Sequence, residues 1–230
     1  MKWKWLTVVA TPLALAGCNN DAPAARDAPV AASTVRAPAP QGDEVVILAL
    51  GDSLFAGYGL DPGQSYPAQL GKALQARGIN ARIVNAGVSG DTTAGGLQRA
   101  DFVLKDQARP PALAIISLGG NDMLRGVSPA ETRKNLDALL AKFAAAKVPV
   151  LLLGMLAAPN LGPEYSDAFN PIYPALAKKY DAALVPFFLQ PLITRPDLIQ
   201  GDHIHPTLAG IDLLVGSTLD QVVGALPVKR

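Results

Sequence analysis

The sequence predicts a doubly wound α/β domain with a parallel sheet, and three observations lead there. Five short apolar runs, Val45–Leu50, Ala81–Asn85, Ala112–Leu118, Pro149–Met155 and Ala183–Phe187, alternate with segments of helical length. Most of these runs are apolar throughout instead of alternating, as strands covered on both faces must be. Short stretches rich in Gly, Asp, Asn and Ser follow several of them, where an open parallel sheet gathers its ligands.

The chain begins with Lys2 and Lys4 among aromatics, then an apolar stretch from Leu6 to Leu15, then Leu15-Ala16-Gly17-Cys18. A basic start, a brief apolar core and small residues read as a secretory signal over residues 1–17, too short to span a bilayer. Leu-Ala-Gly-Cys is similar to the lipobox of bacterial lipoproteins, which implies cleavage before Cys18 and lipidation of its thiol. A lipid-anchored protein on the periplasmic side of a bacterial membrane follows as the expectation. Cys18 is the only cysteine, so no internal disulfide forms. Residues 18–43 are rich in Ala and Pro with few large apolar side chains. Such a segment buries too little surface to offset its ordering entropy and reads as a tether.

Residues 44–230 then suit one domain with a sizeable core. The formal charge of the whole chain is +1, and loss of Lys2 and Lys4 with the signal leaves −1. No basic field for nucleic acid and no like-charge run for an acidic or basic partner is present. Helices are expected at Ser65–Arg77, Thr92–Lys105, Pro129–Lys147, Glu164–Tyr180 and Thr207–Leu226. The third opens on Ser128-Pro129-Ala130-Glu131, a capping box with proline in the first turn. Its Leu136, Leu139, Leu140 and Phe143 mark one buried face. Pro171 and Pro174 predict a kink or break in the fourth, whose aromatics at helical spacing read as core. Neither G-x-x-x-x-G-K-[ST] nor a G-x-G-x-x-G after the first strand occurs, so no phosphate-binding loop or nucleotide cofactor is implied.

The first apolar run breaks into Gly51-Asp52-Ser53-Leu54. Taken alone, this tripeptide is either a turn with a helix cap or a serine delivered to the sheet's edge as a nucleophile. Three further stretches stand at comparable places: Gly87-Val88-Ser89-Gly90-Asp91, Gly119-Gly120-Asn121-Asp122 and Asp202-His203-Ile204-His205-Pro206. A serine hydroxyl needs a neighbouring imidazole, and the imidazole needs a carboxylate on its other nitrogen. Only two histidines exist, His203 and His205, each close to Asp202. A metal site built from Asp202, His203 and His205 is disfavoured, because no fourth ligand and no Cys/His cluster accompanies them.

In this order, Gly-Asp-Ser-Leu, Ser-Gly-Asp, Gly-x-Asn-Asp and Asp-x-x-His resemble the four blocks of the SGNH (GDSL) hydrolases, and the resemblance covers the whole folded part. Within the family it is similar to the periplasmic thioesterase/protease/lysophospholipase group and to the arylesterases. The resemblance implies Ser53 as nucleophile, and His205 and Asp202 as base and orienting acid. It implies an oxyanion hole from the Ser53 N–H, the Gly90 N–H and the Asn121 amide, with no metal and no cofactor. The expected architecture is the three-layer α/β/α SGNH fold with sheet order 2-1-3-4-5, flavodoxin-like. The expected activity is hydrolysis of acyl esters through an acyl-enzyme. Thioesters and lysolipids are alternative substrates of the same site, and a non-catalytic binding lipoprotein is the rival of another class. The role of His203 is open, whereas Asp52, Asp91 and Asp122 are read as structural carboxylates. Tyr58 and Met123-Leu124-Arg125-Gly126 are placed beside the cleft by analogy of fold alone.

Overall fold

The computed structural model describes residues 41–107 and 109–227, so the signal, Cys18 and most of the tether lie outside the described residues. Five parallel strands form one sheet: β1 (Gln41–Gly51), β2 (Ile79–Gly87), β3 (Leu113–Ser117), β4 (Val150–Leu153) and β5 (Ala183–Val185). Their order is β2-β1-β3-β4-β5. Ile47 to Leu50, all of β3 and Leu151 to Leu153 are fully or almost fully buried, as central strands covered on both faces must be.

The flanking helices are α1 (Ser53–Ala56), α2 (Tyr66–Ala76), α3 (Thr93–Lys105), α4 (Gly120–Leu124), α5 (Pro129–Ala145), α6 (Gly162–Phe169), α7 (Ile172–Tyr180) and α8 (Leu208–Ala225). Six of them fall into two packed groups, α2 with α8, and α5 with α3, α6 and α7. Ser128 caps α5 by accepting the Glu131 N–H at 3.2 Å, and Leu136, Leu139, Leu140 and Phe143 form its buried face. The fourth expected helix is divided at Pro171. There α6 stops, and Pro174 falls in the first turn of α7, where no intrahelical donor is required.

Two details depart from the sequence reading. β1 starts at Gln41, so residues 41–43 belong to the sheet and not to the tether. Gln41 pairs with Ile79 across an irregularity before Val45, and Asn80 Nδ2 donates to the Gly42 carbonyl at 3.1 Å. Backbone pairing extends the strand beyond the apolar core, where polar side chains face water. Secondly, α1 and α4 were not anticipated, since helices of 4 and 5 residues are too short for a periodic signature.

The carboxyl ends of the three adjacent strands are in register: Gly51 of β1 pairs with Gly87 of β2 and with Ser117 of β3. The chain leaves β1 for one neighbour and reaches the other later, which opens a crevice at the switch point. Ser53 stands just past β1, Gly90 past β2 and Asn121 past β3.

Candidate active site

Ser53 is the first residue of α1, and its position follows from Asp52. The Asp52 side chain caps the helix, Oδ1 accepting the Leu54 N–H at 3.0 Å. The N–H groups of Gly57 and Tyr58 then donate to the Ser53 carbonyl at 3.1 and 3.2 Å, so the turn closes tightly around the serine. Opposite it lies the loop from Ile199 to Pro206, whose ends are joined by an antiparallel bridge. His205 Nε2 is 2.8 Å from Ser53 Oγ, and His205 Nδ1 is 2.5 Å from Asp202 Oδ2. Asp202 Oδ1 accepts the N–H groups of Ile204 (2.9 Å) and His205 (3.0 Å). The His205 backbone N–H, its ring and the Ile204 N–H together hold the Asp202 carboxyl well below the usual carboxylate range. An ionised Asp202 keeps the imidazole hydrogen on Nδ1, which leaves Nε2 as the acceptor facing the serine hydroxyl.

The other two blocks meet beside Ser53. Asn121 Nδ2 donates to the Asp91 carbonyl at 2.9 Å and rests more loosely on Asp52 Oδ2 at 3.4 Å. The loop before it is pinned from the core: the Tyr173 hydroxyl donates to the Leu118 carbonyl at 2.9 Å. Gly119 has φ 111°, and a Cβ there would lie 2.1 Å from that hydroxyl, so only glycine fits. Asp122 is fully buried and accepts from the Thr93 N–H at 2.8 Å, from the Thr93 hydroxyl, and from Thr132 Oγ1 at 3.4 Å. That carboxylate ties the start of α3 to α4, as a structural group would.

Ser53, Gly90, Asn121 and His205 line one cleft of about 690 Å³. Its other walls are largely apolar, with Met123, Leu124, Met155, Leu156, Phe187, Leu189, Ile193 and Ile204. Leu124 and Ile193 are each 59 % exposed at the rim, so the apolar wall continues outward into solvent. A serine hydroxyl beside a carboxylate-oriented imidazole, with an amide donor and an apolar trough next to it, is an arrangement that suits acyl transfer.

Residues 49–213 match the GDSL-like Lipase/Acylhydrolase family. The chain belongs to this family. Esterase TesA of Pseudomonas aeruginosa is 46 % identical over 163 residues, which are 71 % of this chain and 80 % of that protein. Thioesterase 1/protease 1/lysophospholipase L1 of Escherichia coli is 40 % identical over 160 residues, 70 % of this chain and 74 % of that one. The crystal structure of AlinE4, an SGNH-hydrolase family esterase, superposes with a TM-score of 0.69 at 61 % identity, covering 82 % of this chain and all of that one. The protein is a carboxylic ester hydrolase of the SGNH type.

In this hydrolase the four blocks converge where the sequence placed them. His203 lies at the cleft, exposed, with φ 61°, and its N–H donates to the Gln200 carbonyl at 3.0 Å. Tyr58 does more than border the cleft: its ring lies 4.4 Å from that of His205, tilted by 32°. Met123 and Leu124 line the cleft, and Arg125 Nη2 donates to the Gly90 carbonyl at 2.7 Å. Sequence reasoning missed Arg99, which bonds Asp91 at 2.6 Å and the Gly51 carbonyl at 3.0 Å, joining the second block to the end of β1. It also missed the raised titration of Asp52. This carboxyl is 2 % exposed, and burial pushes it up to about 6 in spite of the Leu54 N–H and the nearby His205. Nothing in the spacing distinguishes Arg99 from an ordinary surface charge, and for Asp52 the spacing shows a structural carboxylate but not its burial.

Proposed function

We propose that Ser53 is the acylated residue of this esterase and that its preferred substrates are esters of aliphatic acids. The observation that carries this reading is the unbroken chain from Asp202 through His205 to Ser53 Oγ, 2.5 and 2.8 Å long, set in an apolar cleft. His205 takes the hydroxyl proton as Oγ attacks the carbonyl carbon, and Asp202 stabilises the imidazolium that results. The oxygen of the tetrahedral intermediate receives the Asn121 amide and the N–H groups of Ser53 and Gly90. His205 then protonates the departing alkoxide, and a water activated by the same imidazole releases the acid. A thioester releases a thiolate that needs no protonation, and a lysolipid releases an alkoxide that His205 protonates, so both share the attack by Ser53 and the hydrolysis of the same acyl-enzyme.

The apolar walls favour an acyl chain over a bare acetyl group. Burial of each methylene is worth ~0.8 kcal/mol, so kcat/KM should rise up to about fourfold per carbon until the trough is full. The test is a fluorophosphonate label followed by peptide mapping, run beside a series of aryl esters of increasing acyl length. Label on Ser53, absent from Ser53→Ala, is the expected outcome. A Ser53 that takes no label overturns its assignment as the acylated residue, and a flat response to acyl length removes the apolar trough from the argument. We further propose that a lipid on Cys18 holds the enzyme at the periplasmic face of a membrane, supported by Leu15-Ala16-Gly17-Cys18 alone.

A further inference from the structure

We propose that Gln200 is a positioning residue for the proposed base, tying the His205 loop to the Ser53 segment so that the imidazole keeps its place while the serine is acylated. The inference rests on the reading of Ser53 and His205 given above. Gln200 Nε2 donates to the Tyr58 carbonyl at 2.8 Å and to the Pro206 carbonyl at 2.8 Å. Both amide hydrogens are thereby used, one on each segment. Pro206 follows His205 directly, and the Tyr58 N–H holds the Ser53 carbonyl. The backbone of Gln200 closes the loop as well. Its N–H donates to the His205 carbonyl at 2.7 Å, and its carbonyl accepts the His203 N–H.

The orientation of the amide is determined. Gly59 stands against its oxygen, where a Cβ would lie 2.1 Å from Oε1 and 3.0 Å from Cδ. A flipped amide would aim that oxygen at two carbonyl oxygens, which repel it. Gly59 and Gln200 are therefore a matched pair.

The bond between Ser53 and His205 cannot serve as the strut between these segments. In the acyl-enzyme, Ser53 Oγ is esterified and has no hydrogen to share, yet His205 must still face the attacking water. The ring contact with Tyr58 carries no hydrogen bond and so does not by itself fix the direction of the imidazole. None of the atoms in the Gln200 bonds reacts, so acylation of Ser53 does not itself remove them. Loss of the amide should thus fall hardest on deacylation, where a displacement of about 1 Å costs on the order of 10²-fold.

The experiment uses Gln200→Met, of similar length without donors, and Gln200→Glu, whose carboxylate faces the two carbonyls. Each is assayed in the full chain with a chromogenic aryl ester, with rates normalised to sites titrated by fluorophosphonate so that unfolded protein is not counted. Expected are a kcat lower by roughly 10²-fold, a KM lowered with it, and a burst approaching one equivalent of leaving group per site. The acyl-length preference should be unchanged. Unaltered kcat per titrated site, whatever the melting temperature, overturns the proposal and leaves a structural glutamine. A raised KM with kcat intact makes Gln200 a substrate contact, and a fall in kcat without a burst removes the effect on deacylation. Failure of the underlying reading is separate, since wild type would then carry no label on Ser53.

Discussion

Replacing Asn121 by alanine isolates one donor of the proposed oxyanion hole, and the structure sets the size of the effect. The amide nitrogen carries two hydrogens. One is held by the Asp91 carbonyl at 2.9 Å, which fixes the direction of the group. The second meets Asp52 Oδ2 at 3.4 Å, longer than a good N–H···O bond, so it is available to an oxygen that becomes charged. A preorganised donor of this kind is worth ~10²–10³ in turnover, about 2.7–4 kcal/mol. The ground-state carbonyl is a weaker acceptor, so substrate binding should change far less. Removing the amide also strips the Asp91 carbonyl of a partner, for which a stability loss of ~1 kcal/mol is expected. Steady-state kcat and KM on a short aryl ester, with a melting curve beside them, separate the two effects. Asn121→Asp should be no better than alanine, since a carboxylate there repels the charge that develops on the substrate oxygen. A variant that raises KM alone, with turnover untouched, would place Asn121 in substrate binding and refute the reasoning.

Four further outcomes are expected. His205→Ala should lose roughly 10⁴–10⁶ in kcat, whereas His203→Ala should lose little. His203→Gly should melt higher by relief of a left-handed φ of 61° worth ~1 kcal/mol, and the reverse ranking of the two alanines would exchange their roles. Asp52 titrates near 6 when folded and near 3.8 when unfolded, so between those values the folded state binds more protons and stability falls as pH rises. Its size is on the order of 3 kcal/mol. Asp52→Asn should flatten the denaturant midpoint between about pH 4 and 6, and an unchanged slope there would assign it to another group. Asp202, depressed by its partners, acts with the opposite sign, losing its stabilisation only at more acid pH. Cys18→Ser should move the protein from the detergent phase to the aqueous phase or leave it uncleaved, and an unmodified Cys18 in membrane-free protein would count against the anchor.

The sequence by itself determined the sheet for a physical reason, while the resemblance to the family singled out the residues that the fold then brings together. Buried parallel strands must be apolar along their whole length, so Val45–Leu50 and Pro149–Met155 stand out without any partner being known. Parallel strands in register also bring their carboxyl ends to one edge, so residues just past separate strands meet automatically. Ser53, Gly90 and Asn121 meet in this way. Asp202 and His205 pair locally, three residues apart, and need no long-range information. Tertiary structure decided what depends on pairs remote in sequence. Gln200 and the Tyr58 carbonyl are 142 residues apart, and Arg99 and the Gly51 carbonyl are 48 apart. No periodicity links such groups, because a single hydrogen bond between loops imposes no pattern on the residues between them. The raised titration of Asp52 belongs here too. Its neighbours Gly51 and Ser53 say only that a cap is present, while the burial that shifts it comes from the assembled crevice. The same distinction accounts for the start of β1 at Gln41, where the strand continues on backbone hydrogen bonds that polar side chains neither announce nor prevent.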